Sequence, residues 1–312
     1  MLFRSCALDN RNTPLRQTNC AAAGIPADFN YIYLSSLPFQ SGGNPDLRAE
    51  KSDSYTVGAV IQPRFLPGFS ASVDYYDITV NNVITALSAQ SILNACYDQA
   101  DINNQFCGQF QRAGAAGGPN GEEPFQIIDN SLQVVPLNFA KLKVRGIDVE
   151  VAYRREIGNL GRLNTRLIYT RALENASFLN PIDPKRGNTA NGELGSPKNA
   201  FNWKTSLEHG PFTLGYEMRY LDKMTVGAYE NYFSYQGRPP ENADAFEKRF
   251  YPAVFYHDVR LAIDAGKKYN FYVGVDNLLN TNPPLGASGI GDGSGIYSNR
   301  GRFFYSGFVA KF

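Results

Sequence analysis

No run of about 18 or more apolar residues occurs in the 312-residue chain, so it contains no transmembrane helix. The opening MLFRSCALDN lacks the apolar core of a secretory signal; an exported protein that begins this way is expected to have lost its true N-terminus. Neither sign of charge is in excess: 30 basic and 29 acidic side chains leave a net charge of +1. Without a global field, nucleic acid and acidic substrates drop out as partners. Histidine is scarce as well. His209 and His257 are the only two, and neither stands at metal-ligand spacing from a cysteine or carboxylate. No serine between glycines leads a strand into a helix, and helical periodicity is weak throughout. No enzyme, metal or cofactor is expected.

What is abundant is aromatic. The chain has 19 Tyr and 21 Phe beside one Trp, a composition rich in strand formers and interface anchors. Mean hydropathy is −0.33, a middling value that a wall alternating lipid-facing and water-facing residues also produces. Period-2 alternation runs from about residue 52 to the end. Phe201, Trp203, Thr205 and Leu207 alternate with Asn202, Lys204, Ser206 and Glu208; Phe212, Leu214, Tyr216, Met218 and Tyr220 alternate with Thr213, Gly215, Glu217 and Arg219. The same holds for Ile147, Val149 and Val151 against Asp148 and Glu150, and for Val259, Leu261 and Ile263 against Asp258, Arg260 and Asp264. About nine strands are expected, near 52–62, 68–81, 139–156, 161–175, 199–209, 211–224, 253–264, 268–279 and 302–312.

Their connections alternate in length. Short turns fall at 63–68, 157–161, 209–211 and 265–268, and long polar loops near 82–138, 176–198, 225–252 and 280–301. An up-and-down outer-membrane barrel has this parity, with its short turns periplasmic. Counting back from the final strand puts residues 1–50 outside the cell as a loop segment, with 51–312 as barrel. Residues 125–137 are expected to form a protruding hairpin arm. The four cysteines fall in polar segments as two spaced pairs, Cys6 with Cys20 and Cys96 with Cys107, and suggest two loop disulfides from an oxidising compartment; four cysteines permit three connectivities.

Three segments resemble the TonB-dependent outer-membrane receptors. Residues 44–58, NPDLRAEKSDSYTVG, are similar to the family's Asn-Pro-x-Leu, Glu, Gly signature, with Ala49 where the family usually has Pro. Residues 271–280, FYVGVDNLLN, resemble its penultimate strand, with Leu279 in place of an aromatic, and residues 301–312, GRFFYSGFVAKF, its closing strand. The resemblance implies an all-β fold, a partial up-and-down antiparallel transmembrane β-barrel in which about nine C-terminal strands of a twenty-two-stranded wall are present without the plug domain. It implies TonB-dependent uptake of a scarce nutrient such as a siderophore, vitamin, saccharide or peptide. The partners implied are outer-membrane lipid, TonB acting through a plug, a small ligand, and the barrel-assembly machinery, which would read Phe304, Phe308 and Phe312. Nine staves would leave two unpaired edges in lipid, so the chain is expected to be a fragment inactive alone.

Loop aromatics Tyr229, Tyr232, Phe233 and Tyr235 are the candidate ligand contacts; packing between loops is the plainer use of the same residues. Inward charges such as Asp148, Glu150, Glu217, Arg219, Asp258 and Arg260 are expected mainly to solvate a lumen wall. The glycine-rich stretches 114–121 and 286–295 read as flexible loops, since no Lys and helix follow them. Two rivals remain: a passive porin-like channel, and a soluble β-rich binding module whose apolar strand faces would close on one internal core.

Overall fold

The computed structural model describes residues 5–7, 11–31, 37–266, 268–286, 289–290 and 294–311. The chain divides into two compact units, one of residues 1–51, 80–141 and 178–186, the other of residues 52–79, 142–177 and 187–312.

The larger unit is built on a meander. Strands β1 (Lys51–Ile61), β2 (Phe69–Thr85), β3 (Leu137–Glu156), β4 (Arg162–Phe178), β5 (Asn199–His209), β6 (Phe212–Leu221), β7 (Val254–Ala265), β8 (Tyr269–Asp276) and β9 (Phe303–Ala310) lie side by side in chain order. All nine stand where alternation put them, with ends shifted by a few residues. Each register from β4 to β9 is antiparallel. The path is open: among the described residues β1 and β9 each have one neighbour in it. Short turns join β1 to β2, β3 to β4, β5 to β6 and β7 to β8, and long loops join the other pairs; at the β3–β4 turn Gly161 has φ 101°, with a Cβ there falling 2.0 Å from the Glu208 carbonyl oxygen. Only glycine permits that approach.

Alternation separates two faces, and register aligns like residues across strands. On one face Leu207, Leu214, Leu261 and Val273 form a row, and Phe212, Ile263, Phe271 and Phe308 form the row toward the short turns. Toward the long loops Tyr169, Phe201, Tyr220 and Phe255 form a third row, in which Phe201 stacks on Tyr220 at 5.0 Å and Tyr220 lies 4.8 Å from Phe255. These aromatic rows are eight residues apart on β7, about 27 Å along a strand, comparable with the roughly 25 Å apolar band of an outer-membrane barrel. Leu214, Leu261, Val273, Phe271, Phe304 and Phe308 are all exposed. Apolar strand faces closing on a dry interior would have buried them, so the soluble sandwich is not the fold. A contiguous apolar surface of this extent is costly in water and suits hydrocarbon.

The smaller unit has its own core. Helices α1 (Pro14–Ala22) and α2 (Ala89–Asp98) pack beside Phe106, Phe110, Ile127 and Leu132. Periodicity does not announce either helix; capping explains both. The Thr13 hydroxyl accepts the Arg16 N–H ahead of Pro14, and the Ser88 hydroxyl accepts the Ser91 N–H. α1 buries polar groups, Arg16 and Asn19, and each is satisfied: Arg16 pairs with Asp98, and the Asn19 amide donates to the carbonyls of Tyr97 and Gln99 at 2.9 and 2.7 Å. Disulfides join Cys6 to Cys20 and Cys96 to Cys107 within this core.

The hairpin arm expected over 125–137 is not formed. Leu132–Val134 instead pairs in parallel with Phe39–Ser41. Pro136, which has no N–H to give a ladder, follows that segment, and buried Leu132 and Leu137 tie it to the core.

Candidate functional site

The polar face of the larger unit borders an open hollow of about 740 Å³, lined among others by Arg166, Lys204, Glu217, Asp258, Arg260 and Tyr305. The register places Arg166, Lys204, Glu217 and Asp258 side by side on β4 to β7. Each inward charge expected from sequence has a neighbour on the protein. Glu150 takes two hydrogen bonds from Arg166, both 2.8 Å, and Asp148 accepts from the Thr170 hydroxyl at 2.7 Å. Glu217 meets Lys204 at 3.0 Å, and Asp258 accepts the Asn277 N–H at 2.6 Å. Arg219 lies over Tyr256 and Arg260 over Tyr272, at 4.7 and 4.3 Å from the ring centres. Such pairs hold a polar wall in shape; His257, the histidine nearest them in sequence, shares its Nδ1 with the Tyr216 hydroxyl at 2.7 Å.

The loops of this unit converge on a second, apolar hub of Leu221, Met224, Val226, Tyr251, Tyr256 and Tyr297. Above it a four-residue helical turn, α3 (Tyr229–Tyr232), begins the aromatic segment. Tyr232 is 5% exposed, and its hydroxyl donates to the Val226 carbonyl, so it supports the segment from beneath. Burial pushes its phenol up, partly offset by Arg249. Tyr229, Phe233 and Tyr235 are half-buried. The rings of Tyr229 and Phe233 lie 4.7 Å apart, and Phe233 reaches Phe250 at 6.0 Å. Cations border them: Lys198 sits 4.4 Å over the Tyr229 ring and donates to its hydroxyl at 3.1 Å, and Arg238 covers Tyr235 while donating to the Gly187 carbonyl at 2.6 Å. Burial raises the Tyr235 phenol, with Glu174 and Glu230 adding to the effect. Sequence reasoning singled out these aromatics but not their neighbours Lys198, Arg238, Glu193 and Glu230, which sit in loops where no period marks them.

The remaining sites are placed as follows. Phe304 and Phe308 stand on the exposed apolar face, 68% and 55% exposed, with Phe308 4.7 Å from Phe271; Phe312 lies outside the described residues. Both cysteine pairs are disulfides in the smaller unit. The 114–121 stretch is organised by Glu122, whose carboxylate accepts the Asn120 N–H and side-chain amide and the Asp129 N–H at 2.8, 2.9 and 3.2 Å. Part of 286–295 lies outside the described residues.

A nine-strand antiparallel meander, apolar outside and charged within, is the wall of a membrane β-barrel. The TonB-dependent receptor-like β-barrel family matches residues 22–278, and the chain belongs to that family. Similar solved structures include a mutant of the ferric enterobactin receptor PfeA from Pseudomonas aeruginosa, 16% identical with a TM-score of 0.53 over 87% of this chain and 33% of that one. Another is the siderophore receptor PirA from Acinetobacter baumannii, 13% identical with a TM-score of 0.52 over 87% of this chain and 33% of that one. At these identities the likeness is one of fold. The chain spans about a third of the length of these structures. No curated protein matches it.

Proposed function

We propose that this chain supplies wall and ligand-capturing loops to an outer-membrane receptor that imports a scarce nutrient with energy delivered by TonB. The observation that carries the reading is the meander itself, with an exposed apolar band outside and a charged hollow inside, in a chain of this family. In this reading the long loops face outward with both disulfides, and Tyr229, Phe233 and Tyr235 meet ligand while Tyr232 holds them from below. Flat aromatics bordered by Lys198 and Arg238 suit a planar, anionic ligand. The siderophores named for PfeA and PirA are of interest as probes, with vitamins, saccharides and peptides as the other classes. TonB would act through a plug in the hollow, and the assembly machinery would read Phe304, Phe308 and Phe312.

Uptake of radiolabelled ferric enterobactin, and of cobalamin as a second probe, by cells carrying the receptor tests this. The expected result is saturable uptake of one probe that disappears when TonB is absent. Steady conductance in planar bilayers with uptake indifferent to TonB would establish a passive channel instead.

A further inference from the structure

Two of the loops exchange carboxylates. Glu193, in the 187–198 loop, accepts the Tyr229 N–H through Oε1 at 2.6 Å; Glu230, next to Tyr229, accepts the Thr189 N–H through its own Oε1 at 2.5 Å. Each loop thus supplies one acid and one amide to the other. Neither carboxylate is free in water: Glu230 is only 6% exposed, and Glu193 is half-buried. Further bonds run the same way. Thr225 N–H donates to the Gly192 carbonyl at 2.8 Å, Gly187 N–H to the Gln236 side chain at 2.9 Å, and Arg238 to the Gly187 carbonyl. The aromatic segment therefore has one defined pose against the neighbouring loop.

We propose that Glu193 and Glu230 are positioning residues, a reciprocal clasp that sets the pose of Tyr229, Phe233 and Tyr235 and makes the firmness of that pose depend on pH. This rests on the uptake reading above for its use, though not for its existence. The charge that acts on Glu193 is Glu230; Lys198 reaches Tyr229, Arg249 acts on Tyr232, and Tyr235 lies among Glu230, Glu174, Arg238 and Arg145. Burial holds the Glu193 carboxyl above the usual range; the Tyr229 N–H offsets this in part, and the Glu230 charge adds to it. A carboxyl raised in the folded state binds a proton there that the unfolded loop lacks. The clasp is therefore firmest at or below the ordinary glutamate value and loosens as pH rises through the raised one. The protonated group keeps a carbonyl oxygen for the Tyr229 N–H, so the hydrogen bond survives in both forms.

Amide hydrogen exchange of the receptor in detergent micelles, corrected for intrinsic rates, reads this without any ligand. Glu193→Ala should cost Tyr229, and Glu230→Ala should cost Thr189, about tenfold in protection, while amides in β6 and β7 stay unchanged. Glu193→Gln keeps the acceptor and should restore most of the protection. In the unsubstituted protein Tyr229 protection should fall as pH rises above the ordinary glutamate range, and in Glu193→Gln it should be flat. Protection untouched by both alanine variants, or the same pH profile with and without Glu193→Gln, would overturn the clasp. A receptor that fails to import either probe while keeping this exchange pattern would overturn only the uptake reading.

Discussion

Gly307 in β9 faces Tyr272 in β8, and two residues along the same ladder Gly274 faces Tyr305. Each tyrosine ring lies over the opposite glycine: a Cβ at Gly307 would sit 2.2 Å from the Tyr272 ring, and one at Gly274 would sit 2.2 Å from Tyr305. Gly307→Ala must therefore swing the Tyr272 ring away. The ring would then lose its cation–π contact with Arg260, worth about 0.5–1 kcal/mol at an exposed site. It would also lose its contact with Tyr305, 6.3 Å between ring centres and worth about 0.5–1.5 kcal/mol. Against this, alanine is favoured over glycine inside a strand by about 0.5–1 kcal/mol. The net expectation is destabilisation of about 1 kcal/mol. Reversible urea unfolding of the receptor in micelles measures it, in a cycle with Tyr272→Ala. In that background the ring is gone, and Gly307→Ala should become neutral or stabilising. An equal cost in both backgrounds would show that the glycine is needed for something other than the ring above it.

The exposed apolar face gives a second prediction: Leu261→Arg, near the middle of the band, should cost about 2–4 kcal/mol of folding into lipid and deplete the protein from the outer-membrane fraction. Membrane levels like those of the unsubstituted protein would contradict the lipid-facing assignment. Replacing both Cys96 and Cys107 by alanine should cost about 2–4 kcal/mol in the smaller unit, seen as faster proteolysis over residues 89–141 with β5 to β8 still resistant; uniform loss across the chain would argue against a separate core. Burial, reinforced by Tyr256, pushes the Tyr297 phenol up to about 12, and its hydroxyl, like that of Tyr251, is buried without a partner among the described residues. Tyr297→Phe should therefore be neutral or stabilising by up to about 1–2 kcal/mol in thermal unfolding, and marked destabilisation would reveal a hidden partner for that hydroxyl.

The number, order and approximate ends of the nine strands were legible in the residues because each stave meets a different solvent on each side. A period of two writes that difference locally: Leu261 and Ile263 against Arg260 and Asp264 need no distant information. The same locality explains the apolar row that includes Phe308 and the polar wall that includes Glu217 and Asp258. The hairpin arm failed where a local reading had to choose a partner, since Leu132–Val134 found Phe39–Ser41 and not its own neighbours.

What tertiary structure alone decided lies in the loops and the smaller unit. Arg16 meets Asp98 across 82 residues, Thr189 meets Glu230 across 41, and Glu193 meets Tyr229 across 36. Two capped helices, one cysteine connectivity out of three, and the pose of the aromatic segment all follow from such pairings. A buried amide or carboxylate must find a partner somewhere, but the sequence around it carries no period that says where.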